Sequence, residues 1–184
     1  MTNPLQHKNW FIQPTTELEA TILAQNDLIH GLNWGRPSYG HPESAVAFHV
    51  LDVLNNIDTL NLAVEDKYRL RLAAITHDSF KYKEYKLEKK YRHGKLARNF
   101  LSQFTDDLLL LELVEWHDEA YHAWQLAFKH NNAILAKRRI KQLLHVFGTD
   151  IPLFQQFFIC DSATGDKKKH PVEWFGKVLI QGQG

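Results

Sequence analysis

A single cysteine, Cys160, in 184 residues leaves nothing for a disulfide framework to be built from and fits a reducing compartment. Cys160 sits in an apolar run and reads as a small buried hydrophobe. Long apolar stretches are missing too. Even the run from Leu108 to Leu111 stops at Glu112, far short of the roughly 20 residues of a membrane span. The opening residues, with Asn3, Pro4, Gln6, His7 and Lys8, lack the apolar centre of a secretory leader. The expected location is the cytoplasm, away from membranes. Neither charge is in excess: 22 Lys+Arg stand against 21 Asp+Glu, a formal net charge of +1. The broad positive footprint that long nucleic acid requires is therefore absent, and such a partner is disfavoured. With 9 Gly, 6 Pro, 44% hydrophobic and 23% charged residues, the chain is neither a disordered tail nor a repetitive fibre. Its length supports one sizeable core.

Apolar residues recur at three- and four-residue spacing, and no stretch alternates between hairpin turns, so the fold class expected is an all-α, single-domain helical bundle. Thr16 with Glu19 reads as a capping box, opening a helix that ends near His30 with Gly31 as its stop. The segment from Asn33 to Gly40 reads as a loop. A second helix starts near Pro42 and runs through Val46, Val50, Val53, Leu54 and Ile57. A third, from Glu65 to about Phe80, carries His77 and Asp78 in its last turn. Asp106 or Asp107 caps an apolar helix ending at Glu115, Trp116, His117 and Asp118. One long amphipathic helix is expected from Glu119 to Val146, ending at Gly148 with Lys137, Arg138, Arg139 and Lys141 on its outer face. A last core helix runs from about Pro152 to Asp161, and the residues beyond it read as a surface extension.

Eleven histidines are the abundance in this composition. Four groups stand out as polar positions among core neighbours: His41 at a helix start, the adjacent His77 and Asp78 at a helix end, and Asp161 at the end of the last apolar helix. Sequence neighbours point about 100° apart on a helix, so the doublet reaches one ion only where the helix is finishing. Two imidazoles with two carboxylates suit Mn, Fe, Zn, Ni, Co or Mg better than copper(I), which prefers sulfur.

The order Gly40-His41-Pro42, then Leu72-Ala73-Ala74-Ile75-Thr76-His77-Asp78, then Phe158-Ile159-Cys160-Asp161-Ser162-Ala163 resembles the HD superfamily of metal-dependent phosphohydrolases, over about residues 30 to 165. On that resemblance residues 1–30 are an N-terminal helical extension, 31–165 the HD domain and 166–184 a tail. The resemblance implies His41, His77, Asp78 and Asp161 as ligands of a divalent ion. His93, in Tyr91-Arg92-His93-Gly94, and His117, in Trp116-His117-Asp118, imply a second ion, with Asp78 bridging the two. Lys81, three residues past Asp78, fits the same binuclear subgroup. The stretch from Lys141 to Asp161 is similar to the HD region of some tRNA nucleotidyltransferases, whose polymerising head has no room in this chain.

The reaction implied is hydrolysis of a phosphomonoester or phosphodiester by a metal-activated water, on a nucleotide or other small phosphorylated metabolite. Asp78, Lys81 and Asp118 are the catalytic candidates, Asp118 as acid/base or extra ligand, with Glu84 behind it. His122 and His49 read as core groups or supports for a ligand, and His7, His30, His130, His145 and His170 as structural or solvated. The basic run from Lys81 to Arg98 reads as a solvated face, part of which borders the site. Trp34, Tyr39 or Trp116 would suit stacking on a base. Two alternatives stay open: a di-iron oxygenase of the HD type, and a non-catalytic nucleotide or RNA-end binding module. Metal identity, the number of ions and the oligomeric state stay open as well.

Overall fold

The computed structural model describes residues 10–35, 44–86, 92–165 and 167–181, and every regular element among them is helical. In chain order these are α1 (Glu17–Leu23), α2 (Asn26–Leu32), α3 (Val46–Asp58), α4 (Val64–Thr76), α5 (Lys81–Lys86), α6 (His93–Leu101), α7 (Leu108–Trp116), α8 (Glu119–Phe128) and α9 (Ala133–Phe147). A short 3-10 turn (Gly148–Asp150) then leads into α10 (Ile151–Ser162) and α11 (His170–Gln181).

Central to the bundle is α4, whose residues Leu70, Leu72, Ala73, Ala74 and Ile75 are wholly buried. It packs against α3, α7 and α10. Alanines at 73 and 74 allow that crowding, because a small side chain lets neighbouring backbones come close. On its other side Arg71 donates from Nε to Glu19 Oε1 at 2.9 Å and ties α4 to α1. Glu19 also helps to start α1, since its Oε2 accepts from the Thr15 amide at 2.8 Å while Thr16 Oγ1 caps the Glu19 amide at 3.1 Å.

Three local expectations need correction. The first helical segment is two helices, because the chain breaks at Ala24 and Gln25, and Gly31 lies inside α2 instead of stopping it. The reason for glycine there is tertiary: a Cβ at Gly31 would lie 1.6 Å from the Ser79 carbonyl oxygen. The long helix expected from Glu119 to Val146 is also two helices, α8 and α9. Asn131 turns the chain at φ 50 and Asn132 caps α9, its Oδ1 accepting from the Leu135 amide at 3.0 Å. Finally, the tail is no loose extension. It forms α11, whose wholly buried Phe175 meets Phe154 and Phe158 edge-on at 5.7 and 5.8 Å.

By length and composition the helical stretch Ala133–Ser162 would be long and apolar enough to cross a membrane. It bends at Gly148, φ 50, and turns Ile140, Leu143, Phe147, Phe154 and Phe157 into the core of the bundle.

Candidate metal centre

Helix α4 ends at Thr76 with His77 as a C-cap still in αR geometry, and that ending places two adjacent polar residues on one side. His77 is the C-cap of α4, and residues 77–80 form a turn into α5. The His77 and Asp78 side chains converge, with Nε2 of the imidazole 3.5 Å from Asp78 Oδ2. From α3 comes His49, whose Nε2 lies 2.8 Å from Asp161 Oδ1 and 3.7 Å from Asp78 Oδ2. Asp161, in the last turn of α10, brings Oδ1 within 3.7 Å of His77 Nε2.

A second group meets the opposite oxygen of Asp78. His93 opens α6 and His117 caps the end of α7, their Nε2 atoms 3.1 Å apart and 3.3 and 3.5 Å from Asp78 Oδ1. Asp118 Oδ2 stands 3.4 and 3.6 Å from the same two nitrogens. Close approach of α6 to α7 depends on Gly94, where a Cβ would lie 2.6 Å from the Glu115 carbonyl oxygen.

The outer nitrogen of each imidazole is held by an acceptor. His77 Nδ1 donates to the Ala74 carbonyl at 2.9 Å, and His117 Nδ1 to the Val114 carbonyl at 2.8 Å. His93 Nδ1 donates to Glu84 Oε2 at 2.5 Å. His49 Nδ1 lies 3.0 Å from Thr164 Oγ1, a hydroxyl that donates its own proton to the Asp161 carbonyl. With Nδ1–H so committed, the neutral rings of His77, His93 and His117 direct their Nε2 lone pairs inward, toward carboxylates that also only accept, while His49 Nε2 lies at hydrogen-bonding distance from Asp161 Oδ1. Three such lone pairs facing buried carboxylates repel unless cations or protons lie between them. Among the described residues, His77 Nε2 and Asp78 Oδ1 are buried without a hydrogen-bond partner, as atoms that ligate a metal are. The His49–His77–Asp78 and Asp78–His93–His117 groups each bring their ligand atoms within 4.8 Å of one another. This donor set fits a divalent metal.

Charge in the cluster follows the same logic. Burial opposes ionisation of Asp78, but the Lys81 ammonium and the surrounding imidazoles outweigh it and hold the carboxyl well below its usual range. Asp161 is likewise held down, burial being overcome by Lys167 and His49. Asp118 is lowered to about 2, with His117 and His93 overcoming its burial. His93 goes the other way: burial disfavours its charged form, yet Asp78 and Glu84 raise it to about 9.

Protons and metal thus compete for one set of lone pairs. In chelator-treated protein, the stabilisation from protonated His93 is complete below its ordinary value of 6.5 and is lost as pH rises through about 9. The melting temperature of chelated protein is expected to fall across that window, while metal affinity rises across it and binding near pH 7 releases protons. Calorimetry in buffers of different protonation enthalpy reads the released protons directly; metal binding with no proton release at pH 7 would contradict the arrangement.

Of the groups singled out from the sequence, His77, Asp78, His93, His117, Asp118 and Asp161 come together, and Lys81 joins them with Nζ 2.5 Å from Asp78 Oδ2. His41 lies outside the described residues. His49, read from the sequence as core or support, is instead the imidazole nearest Asp161. Its spacing of three residues from Val46 and four from Val53 hides it on the buried face of α3, although one signal was available: a histidine wholly among aliphatic neighbours needs polar partners. Glu84 contacts His93 and so orients a ligand. Most of the other basic residues described between 81 and 98 are paired away from the centre, Lys83 with Asp27, Lys95 with Glu115 and Arg98 with Glu112 and Glu115. Among the aromatic stacking candidates, Trp116 lines a different groove, and Tyr39 lies outside the described residues.

A cavity of about 440 Å³ opens on this centre, with Asp78, Lys81, Asp118, Asp161 and Lys167 along its inner side. The HD domain family model matches residues 46–144, more than half of the chain. The chain belongs to the HD domain family. The HD match spans His49, His77, Asp78, Lys81, His93, His117 and Asp118, and Asp161 reaches the centre from beyond it. It carries the family and not the narrower likeness to the tRNA nucleotidyltransferase region. Neither the curated proteins nor the solved structures compared with this HD domain chain gave a match.

Proposed function

We propose that this HD domain protein hydrolyses a small phosphoester with the help of two divalent ions, one held by His49, His77, Asp78 and Asp161 and one by Asp78, His93, His117 and Asp118. The observation that carries the reading is the division of Asp78: Oδ2 faces His77 and His49, and Oδ1 faces His93 and His117. A carboxylate shared in this way is suited to bridge two ions. Such ions supply a water acidic enough to attack at neutral pH and offset charge on the phosphoryl oxygens.

The chain's own groups do the rest. Lys81 is kept charged, its pKa raised because Asp78 and Asp118 outweigh the effect of burial, and its ammonium borders the cavity where a phosphate oxygen would lie. Asp118, ionised down to about pH 2, is a poor proton store at neutral pH and suits a ligand better than an acid. The cavity's lysines, Lys129 and Lys168 in addition to Lys81 and Lys167, favour an anionic substrate over the uncharged carbon centre that an oxygenase would oxidise. Iron content with oxygen uptake separates that second chemistry.

Purified protein supplied with manganese, nickel, cobalt or magnesium is expected to release nitrophenol from nitrophenyl phosphate or its bis-ester, and to stop on chelation. No release above blank with any metal refutes the hydrolase reading. Asp118→Asn is expected to lower turnover about a hundredfold and to reduce bound metal from two equivalents toward one. Unchanged turnover and metal content would remove Asp118 from the centre.

A further inference from the structure

One wall of the cavity is a single helix face. Asp118, Tyr121, His122, Gln125 and Lys129 follow one another at spacings of three, one, three and four residues, and all five line it. At 1.5 Å per residue, the rise from residue 118 to residue 129 is about 16 Å. The wall therefore runs from a carboxylate at the candidate metal centre to a lysine at its far end. Between them the Tyr121 and Trp124 rings, both bordering the cavity, are stacked with centroids 5.9 Å apart and planes 20° from parallel. Lys129 holds Nζ 5.5 Å from the Trp124 ring centroid and 5.7 Å from that of Tyr121.

The lysines of the cavity divide into two kinds. Lys81 and Lys167 neutralise Asp78 and Asp161. Lys129 and Lys168, also on the cavity wall, form no ion pair among the described residues. A cation left uncompensated at the end of a pocket remote from the reacting centre discriminates by attracting a second negative group on the ligand. A cavity of about 440 Å³ holds a ligand of nucleotide size.

Resting on the hydrolase reading above, we infer that the substrate is a phosphoester with a flat body and a second anionic group. The scissile phosphate lies at the imidazole–carboxylate centre, the flat body lies against Tyr121 and Trp124, and the second anion reaches Lys129.

The test uses the full chain loaded with manganese and compares adenosine 3′,5′-bisphosphate with adenosine 5′-monophosphate. The bisphosphate is expected to show a kcat/KM at least about tenfold higher, since one added ion contact at a partly desolvated site has about that weight. Lys129→Gln is expected to lower kcat/KM for the bisphosphate at least about fivefold more than for the monophosphate, chiefly through KM. Lys137→Gln, on the exposed face of α9, controls for general electrostatics and should leave the preference intact. Equal kcat/KM for the two nucleotides, or the same loss for both in Lys129→Gln, overturns the inference while leaving the hydrolase reading standing. If no ester is hydrolysed with any metal, the hydrolase reading fails, and equilibrium binding of the same two nucleotides decides the inference, equal affinities overturning it.

Discussion

Asp78→Ala is expected to empty both proposed metal positions at once and to lower phosphoester turnover roughly a thousandfold or more. No other carboxylate is shared between the two clusters, since among the described residues Asp78 alone belongs to both the His49–His77 group and the His93–His117 group. The folded chain should survive. Without Asp78, Lys81 loses its carboxylate partner but keeps partial access to water, its side chain being 28% exposed. His93, whose charged form Asp78 and Glu84 favour in the metal-free protein, keeps Glu84 as its partner. Asp78→Asn, which preserves shape, separates loss of charge from loss of packing. The readouts are metal content by elemental analysis, circular dichroism and turnover. Retention of two equivalents of metal in either variant would show that Asp78 bridges nothing.

Gly31→Ala, in a helix that supplies no ligand, is expected to cripple the same centre through packing. Its Cβ would lie 1.6 Å from the Ser79 carbonyl oxygen and 2.6 Å from the Ser79 carbonyl carbon. Both atoms are backbone, so neither can rotate away, and α2 and the turn over residues 77–80 must separate. Helix propensity alone favours alanine over glycine by about 1 kcal/mol. Overpacking costs about 1–3 kcal/mol in ordinary cases, and so deep an overlap belongs at or beyond the upper end. Net destabilisation of about 2 kcal/mol or more is expected, a fall of about 4–8 °C in Tm for a chain of this size. Metal affinity falls with it, because Ser79 directly follows the doublet. A variant as stable as the parent would mean that α2 does not press on that turn.

Much of the helical content was legible because it is written locally. Thr16, Asp107 and the Gly148 stop act within a few residues of themselves, and each operates in the structure as its side chain or backbone predicts. The break between α8 and α9 was equally local, in Asn131 and Asn132, but an apolar stripe continuing on both sides masks it. Gly31 misleads for the opposite reason. A glycine near the end of an apolar stretch reads as a stop, yet its cause lies in Ser79, far along the chain. The tail failed for want of a visible partner: Phe175 looks exposed until α10 supplies Phe154 and Phe158.

The candidate centre divides in the same way. His77 and Asp78 declared themselves because a polar doublet closing an apolar helix has no other comfortable place. His49 did not, since its position on α3 satisfies helical periodicity whatever its imidazole meets, and only the folded chain places it 2.8 Å from Asp161. Residue order alone, then, established an all-helical chain, the caps that open α1 and α7, the stop that closes α9, and a doublet poised at one helix terminus. Which faces meet was decided in three dimensions: the pairing of Asp161 with His49, the two-sided position of Asp78 and the lysine-ended cavity all depend on contacts between distant segments. Periodicity records that a side chain turns inward, and it carries no information about what waits there.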